Sequence, residues 1–426
     1  MSRLKTDPPA TSVRARNAVR GGLFGNFVDQ VDIFLPVIAL APAAAVVLGP
    51  DAAAAQTGLI FVATLFGRPL GAAIFGSLAD RCGRTSTTKA AIAGIALTML
   101  LIALIPNHDV GGAATLWAFI ALRFLGGVFL GGEYSAAIPL AMEWTAPRRR
   151  GLLSGGIMAM SPLANAFIAG LTLMLVQVLG AEGYATWGWR MPFVAGALLA
   201  AAMLWYYTAG VDDSPVSTRT PRRTRPLRNI FVGPFRRQLW QVFVLMTGLW
   251  LFTQMAVPVL TGMLREAPRI GPAAVPLIML IATLASAVAM LASGALSQRM
   301  GRRRFFVAFG AVAIIAAPLS FMWALSSAGA GTVLAVTLVQ LVTVSAYGPV
   351  GAYLAERFPA AVRSSGYGVG YSLSIVAPAL FPFWLPPLQS AIGPVTAVAL
   401  VLAVAAALLA LGALLGPEPD RSAPLE

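Results

Sequence analysis

Five ionisable side chains stand in stretches that are otherwise apolar. They are Asp29 and Asp32 in GNFVDQVDIFLPVIALAPAAAVVL (25–48), Arg68 in FGRPLG, Arg123 in ALRFLGG and Glu133 in LGGEYSAA. Asp29 and Asp32 are three residues apart, so on a helix they share one face. Two carboxyls held that close can exchange a proton, which is the chemistry that proton coupling requires. An arginine presents a planar fork that matches a carboxylate. Arg68 or Arg123 is therefore either the anchor of a substrate anion or a structural counter-ion, and a proton can compete with such a salt bridge for one acid. Glu133, next to two glycines, is either a further proton site or an interhelical hydrogen-bonding group.

These five all belong to the first half of the chain. The second half can offer a substrate only neutral contacts: Trp250, Gln254, Gln340, Tyr347 and Tyr371, with Tyr353 and Tyr367 as further aromatic neighbours. Core packing is the competing role for each. The single histidine, His108, falls in a loop and provides no relay, and the single cysteine, Cys82, excludes an intramolecular disulfide. No metal-ligating cluster is expected, and no G-x-x-x-x-G-K-[ST] loop is present to bind ATP.

The elements that must position these groups follow from composition. Of 426 residues, 58% are hydrophobic and 11% charged, against about 25% charged in a soluble domain. Twelve apolar runs fall at roughly 22–48, 57–79, 89–106, 113–142, 152–179, 190–210, 239–264, 273–296, 305–325, 331–355, 365–386 and 391–415. Each is long enough to cross a bilayer as a helix. Pro36, Pro139, Pro162, Pro258 and Pro378 lie inside runs and are expected to kink them. Depth follows from 1.5 Å per residue: Asp32 is about ten residues into the first run, hence roughly 15 Å deep. Adjacent antiparallel helices would bring Asp32 near Arg68, whereas Arg123 and Glu133, on one helix, are too far apart to pair.

The net charge of +14 raises nucleic-acid binding, but its distribution argues for membrane orientation instead. With both termini on one side, twenty-five of the 30 Lys and Arg fall on that side. They include Arg3, Lys5, Arg20, Arg81, Arg84, Arg148 to Arg150, Arg219, Arg222, Arg223, Arg237, Arg299, Arg302 to Arg304, Arg357, Arg363 and Arg421; only Arg190, Arg265 and Arg269 lie opposite. The positive-inside bias makes the rich side cytoplasmic. The N-terminal tail (1–21) is polar and carries no signal-peptide cleavage pattern. A first bundle at 22–210, a Pro- and Arg-rich linker at 211–238, a second bundle at 239–415 and a tail at 416–426 complete the division. The basic linker can also lie against anionic headgroups.

Two motifs recur. GSLADRCGR (76–84) and GALSQRMGR (294–302) share Gly, Leu, Arg, Gly and Arg, with Gln298 opposite Asp80. EWTAPRRR (143–150) and ERFPAAVR (356–363) each space a Glu and an Arg seven apart. Parallel repeats of this kind imply two related six-helix halves with a site between them.

GSLADRCGRTSTTK resembles the loop between helices 2 and 3 of the major facilitator superfamily, usually written G-x-L-x-D-R-x-G-R-[RK], with Thr85 in place of the last basic residue. GRPLGAAIFGSLADRCGR (67–84), RFLGGVFLGGEYSAA (123–137), EWTAPRRRG (143–151) and ERFPAAVRSSGYGVGYS (356–372) are similar to the metabolite:H⁺ symporter family. That family's Glu-Trp-Tyr-Asp-like run appears here as Asp29, Gln30, Val31 and Asp32, without the aromatics. The resemblance implies an all-α membrane protein of twelve transmembrane helices in two pseudo-symmetric bundles. It implies gating by Asp80, Arg81 and Arg84, with the Asp capping a helix of the opposite half, and by ion pairs among Glu143, Arg150, Glu356 and Arg363.

The expected function is secondary active transport by alternating access, not enzymatic catalysis. The substrate class is a small organic acid taken up by proton symport, with Asp29, Asp32 or Glu133 carrying the proton and Arg68 or Arg123 the anion. A zwitterion such as proline or betaine and a proton-coupled efflux substrate are the alternatives; a sensor or enzyme on this fold lacks an attached domain or a catalytic cluster. No cofactor is expected beyond the proton gradient. The expected setting is a bacterial inner membrane, in contact with lipid and no nucleic acid, as a monomer.

Overall fold

The computed structural model describes residues 9–49, 53–216, 225–271 and 274–425. Arg3, Lys5, Arg219, Arg222 and Arg223, counted above for orientation, lie outside the described residues. Among the described residues all regular structure is helical.

Eleven helices among the described residues are long and apolar enough to span a bilayer. In chain order, with α11 reserved for the broken span, they are α1 (Val13–Leu48), α2 (Gly58–Cys82), α3 (Arg84–Ala103), α4 (Ala113–Glu143), α5 (Pro147–Gly188), α6 (Arg190–Gly210), α7 (Arg236–Glu266), α8 (Val275–Met300), α9 (Arg302–Ser326), α10 (Ala330–Arg357) and α12 (Pro394–Leu414). The twelfth, α11, is the pair Ala360–Ala379 and Phe381–Ile392, bent by 45°. Helices suit this setting because each satisfies its own backbone polar groups where no water is available.

One buried core lies within α1 to α6 and a second within α7 to α12. The second also takes in Tyr134, Ile138, Met142, Leu153 and Ile157 from α4 and α5, so the halves pack directly on one another.

The ends differ from the apolar runs in an informative way. The first helix begins at Pro9, inside the stretch read as a polar tail. Arg84, Arg302 and Arg363 occupy first helical positions instead of loops. Gly83 (φ 107°) and Gly301 (φ 111°) close α2 and α8 in a backbone conformation that favours glycine, at equivalent places in the repeat. Pro36 is followed by a break after Ile38, Pro258 lies in a π-turn (Met255–Val259), and Pro378 sits beside the bend in α11. Pro139 and Pro162 stay within helices that continue through them. α10 breaks between Leu341 and Val350, and Gly348 and Pro349, a pair not singled out from sequence, lie in the break just before its second helix.

The α2–α4 crossing sets the site. Gly67 and Gly71 on α2 face Gly127 and Gly131 on α4, four residues apart on each. A Cβ on any of the four would collide with backbone of the other helix. Small residues at this spacing let two helices meet at backbone distance, where dispersion replaces the hydrophobic drive that lipid removes. The Arg68 carbonyl is itself the atom that meets Gly131.

Candidate functional site

All five membrane ionisable groups lie inside the protein: Asp29, Asp32, Arg68, Arg123 and Glu133 are each no more than 1% exposed. They form two groups. Asp32 pairs with Arg123 at 2.7 Å, not with Arg68 as helix adjacency suggested. Arg123 also donates from Nη2 to the Asp32 carbonyl at 2.8 Å and from Nε to Thr64 Oγ1 at 3.0 Å. The carbonyl is available because Pro36, four residues on, has no N–H to bond it. Arg123 thus ties α1, α2 and α4 together within the first half, and Thr64 was not among the residues singled out from sequence.

The second group lies at the junction of the halves. The Arg68 guanidinium stands over the rings of Tyr134 (5.4 Å) and Tyr371 (5.5 Å), one from each half. Those two rings stack at 4.1 Å, and Tyr367 lies 5.5 Å from Tyr134. Arg68 Nε and Nη2 have no hydrogen-bond partner among the described residues. The Asp29 and Glu133 carboxyls meet beside Arg68, and their oxygens likewise have no donor among the described residues. A Cβ on Gly25 would run into Glu133 Oε1, so glycine there makes room for the carboxyl. Buried Tyr207 Oη, also without a partner among the described residues, faces the same two acids. Tyr134 was missed at the sequence level, although its place next to Glu133 in GGEYS was a signal.

The neutral candidates divide. Trp250 donates from Nε1 to the Tyr371 carbonyl at 3.0 Å and packs edge-on against both Tyr371 and Tyr347. Tyr347 shares a hydrogen bond with Thr253 at 3.1 Å. These join the Arg68 cluster. Gln340 instead donates to Thr283 within the second half, at 3.4 Å, and does not join it. Gln254 is buried on α7.

One end of the molecule is closed by bonds between the halves. Asp80 accepts from the backbone N–H of Ser364 (3.0 Å) and Ser365 (2.9 Å) and from Ser365 Oγ (2.7 Å), at the first turn of the α11 helix. Its counterpart Gln298 accepts from Gly151 N–H at 3.0 Å, at the start of α5. Glu143 binds both Arg84 and Arg363. Glu356 binds Arg302 at 3.1 Å. Ser154 donates to the Gly348 carbonyl at 2.6 Å and accepts from Ala352 N–H at 3.1 Å, where α10 breaks. Two expectations need correction. Arg150 forms no ion pair among the described residues and donates to the Ala423 carbonyl at 2.8 Å, because Arg302 already occupies Glu356. Arg81 is exposed and forms no ion pair among the described residues. Thr85, where the motif usually has a base, donates from N–H (2.8 Å) and Oγ1 (2.9 Å) to Asp213.

Residues 22–382 match the sequence model of the Major Facilitator Superfamily. The chain is 29% identical to an inner membrane metabolite transport protein of Escherichia coli K12, covering 96% of each. It is 27% identical to the alpha-ketoglutarate permease of the same organism, over 75% of this chain and 74% of the permease. A proline/betaine transporter of that organism is 24% identical over 74% and 65%. The fold superposes on a proton:xylose symporter with a TM-score of 0.76 at 17% identity, over 95% of each chain. Two halves closed at one end by paired motif residues, the span count and these matches agree: the chain belongs to the Major Facilitator Superfamily and is a multi-pass membrane transporter of small metabolites.

Proposed function

We propose that this protein is a proton-coupled symporter of a small organic acid. The observation that carries the reading is Arg68. It is a buried guanidinium at the junction of the halves with two nitrogens unpartnered among the described residues, next to two carboxyls that also lack donors. An unpaired charge inside a membrane protein is costly and is kept where it binds or moves something. Deprotonated, Asp29 and Glu133 compete for Arg68. With a proton between them they hydrogen-bond each other and release Arg68 to a substrate carboxylate. Proton and anion then load together, which is the requirement of symport. A fully bonded Arg123 leaves Asp32 and its partner better suited to holding α1 to α4 in register, where a proton can still compete for Asp32.

A zwitterionic substrate is the second reading. Tyr134, Tyr371, Trp250 and Tyr347 form the kind of aromatic surface that cradles a quaternary ammonium. Arg68 already stands over two of those rings, which favours the anion. The setting we infer is a bacterial inner membrane, with the gated end and both termini cytoplasmic, the carrier a monomer and the proton gradient its energy source. The family match to an inner membrane protein and the charge bias support it.

Uptake into proteoliposomes under an imposed pH gradient, across carboxylates and betaines, tests the reading. Arg68→Ala should abolish carboxylate uptake. Asp29→Asn and Glu133→Gln should keep counterflow exchange and lose gradient-driven accumulation. Accumulation that survives both variants, and Asp32→Asn as well, would overturn proton coupling through these acids.

A further inference from the structure

The run Arg302–Arg304 is only partly used by the gate. Arg302 pairs with Glu356, and Arg303 donates from Nη2 to the Leu414 carbonyl at 3.4 Å. Arg304, on the first turn of α9, forms no ion pair among the described residues, and neither does Arg299 on the last turn of α8. Glu418 is close, but it accepts the backbone N–H of Arg304 at 3.3 Å and caps the helix.

α8 and α9 splay apart over α10, leaving a crevice open to the outside of the bundle. Its outer part encloses about 480 Å³ between Ala292, Leu296, Arg299, Phe305 and Phe309. A second part of about 240 Å³ shares Leu296, Phe305 and Phe309 and reaches Val312, Leu341 and Val342. Val312 is 64% exposed and Leu296 47%, so this face meets lipid. Ala308 and Val312 line the second part, and exposed Arg304 lies one turn before Ala308, at the edge of that wall. From Arg304 to Val312 is about 12 Å along the helix. Arg299 lines the crevice from α8, exposed Arg304 stands one turn before Ala308 at the same end of α9, and the lining is otherwise mostly apolar.

We propose that this crevice binds an acyl chain of an anionic phospholipid, with its phosphate between Arg299 and Arg304. A gap in a lipid-facing surface is filled by hydrocarbon, and basic pockets between helices at the membrane face select anionic headgroups. Free phosphate would gain nothing from the apolar walls, and a zwitterionic lipid offers the same phosphate but brings an ammonium that both guanidinium groups repel. The chain's inner end meets Leu341 and Val342, where α10 breaks.

Native mass spectrometry of the full-length protein, released from mild detergent, tests this with phosphatidylglycerol, phosphatidylethanolamine and chain-free glycerol phosphate. Phosphatidylglycerol should be retained about tenfold over phosphatidylethanolamine. The double variant Arg299→Gln/Arg304→Gln should bring the two lipids level. Ala308→Trp, which fills the crevice with both arginines intact, should reduce retention of both. Equal retention of the two lipids by the unmodified protein overturns the proposal without need of any variant. So does displacement of phosphatidylglycerol by glycerol phosphate, or retention unchanged in either variant.

Discussion

Arg363, on the first turn of the α11 helix, is bound to Glu143, the last residue of α4, and the same carboxylate holds Arg84 of its own half. The pseudo-symmetric acid, Glu356, among the described residues pairs only with Arg302 of its own half. One acid of the repeat therefore links the two bundles through charge, while its counterpart braces a single bundle. Asp80 and Gln298 divide in the same sense. Both accept from a helix start in the opposite half, Asp80 as a carboxylate from two backbone N–H groups and Gln298 as a neutral amide from one. The charged links cluster where α2, α4 and α11 meet, so the closure at this end is electrostatically lopsided.

Replacing Glu143 by Gln leaves two buried guanidinium groups without their anion. Removing one member of a buried ion network costs about 3–5 kcal/mol, and thermal unfolding of the purified protein should show a loss of that size. Arg363→Met is the gentler change. Glu143 keeps Arg84; the link between halves is lost, together with the Arg363 Nε bonds to the Ala355 and Phe358 carbonyls.

Asp80→Asn keeps the side chain's shape and removes the charge that faces the N-terminal amides of the α11 helix. A charge-assisted bond is worth roughly twice a neutral one, and the helix N-terminus adds its own attraction. Closure at this end should weaken by about 1–2 kcal/mol. Ile138→Cys, buried beside Gly351 of the other half, reports it on a background in which Cys82 is replaced by Ser. Its maleimide modification should rise roughly tenfold in Asp80→Asn and in Arg363→Met.

How much of this was legible beforehand depends on what each residue answers to. Span number and the two-half plan were readable because lipid imposes run length and loop charge on the sequence directly. The repeat exposed Glu143, Glu356 and Arg363, since their spacing recurs, and the resemblance of its loop motif pointed to Asp80. Pairing inside the membrane was not readable. Asp32 was expected near Arg68 on helix adjacency, yet rotation about the helix axes, fixed by the Gly67, Gly71, Gly127 and Gly131 crossing, turns Arg123 to it instead. The GxxxG spacing on both helices was in plain view, but which face of α2 it would turn inward is a property of the partner helix. Tyr134 was hidden for a related reason, because an aromatic on a buried helix looks like packing until Arg68 is seen above it. The α10 break does carry a signal, the pair Gly348 and Pro349 just before its second helix, which was not singled out; Ser154 bonds to the carbonyl of Gly348 there.

Cys82 supplies a direct test of orientation. It is the only cysteine and it is exposed, two residues beyond Asp80. With the Arg-rich end in the cytoplasm, a membrane-impermeant maleimide should label it in inside-out vesicles and leave it unmodified in right-side-out ones. The opposite pattern would invert the assignment of every loop.

The crossing of α2 and α4 should tolerate almost nothing. At Gly71 a Cβ would collide with the Val128 carbonyl, whereas at Gly58 on the same span nothing lies within 4 Å. Gly71→Ala must push the helices apart, strip contacts from Gly67, Gly127 and Gly131 and displace Arg68. Overpacking of this kind costs about 1–3 kcal/mol or more. Gly58→Ala should be neutral or slightly stabilising. Expression level and thermal unfolding of the two variants, made side by side, separate close packing from a general intolerance of change in this helix.

The two acids of the first span should part company in the same way. Asp32 is bound through Oδ1 to Arg123, whose other donors hold the Asp32 carbonyl and Thr64. Asp32→Asn therefore strands a buried guanidinium at the junction of three helices, and unfolding should become easier by about 3–5 kcal/mol. Asp29 has no such partner among the described residues; its carboxyl meets that of Glu133 beside Arg68. Asp29→Asn removes a like-charge contact and provides an amide donor to Glu133, so stability should hold or rise while gradient-driven accumulation is lost. Unfolding midpoints and accumulation ratios measured on the same preparations decide the matter. If Asp29→Asn is the destabilised variant and Asp32→Asn the uncoupled one, the assignments are reversed, and the salt bridge between α1 and α4 becomes the place where the proton acts.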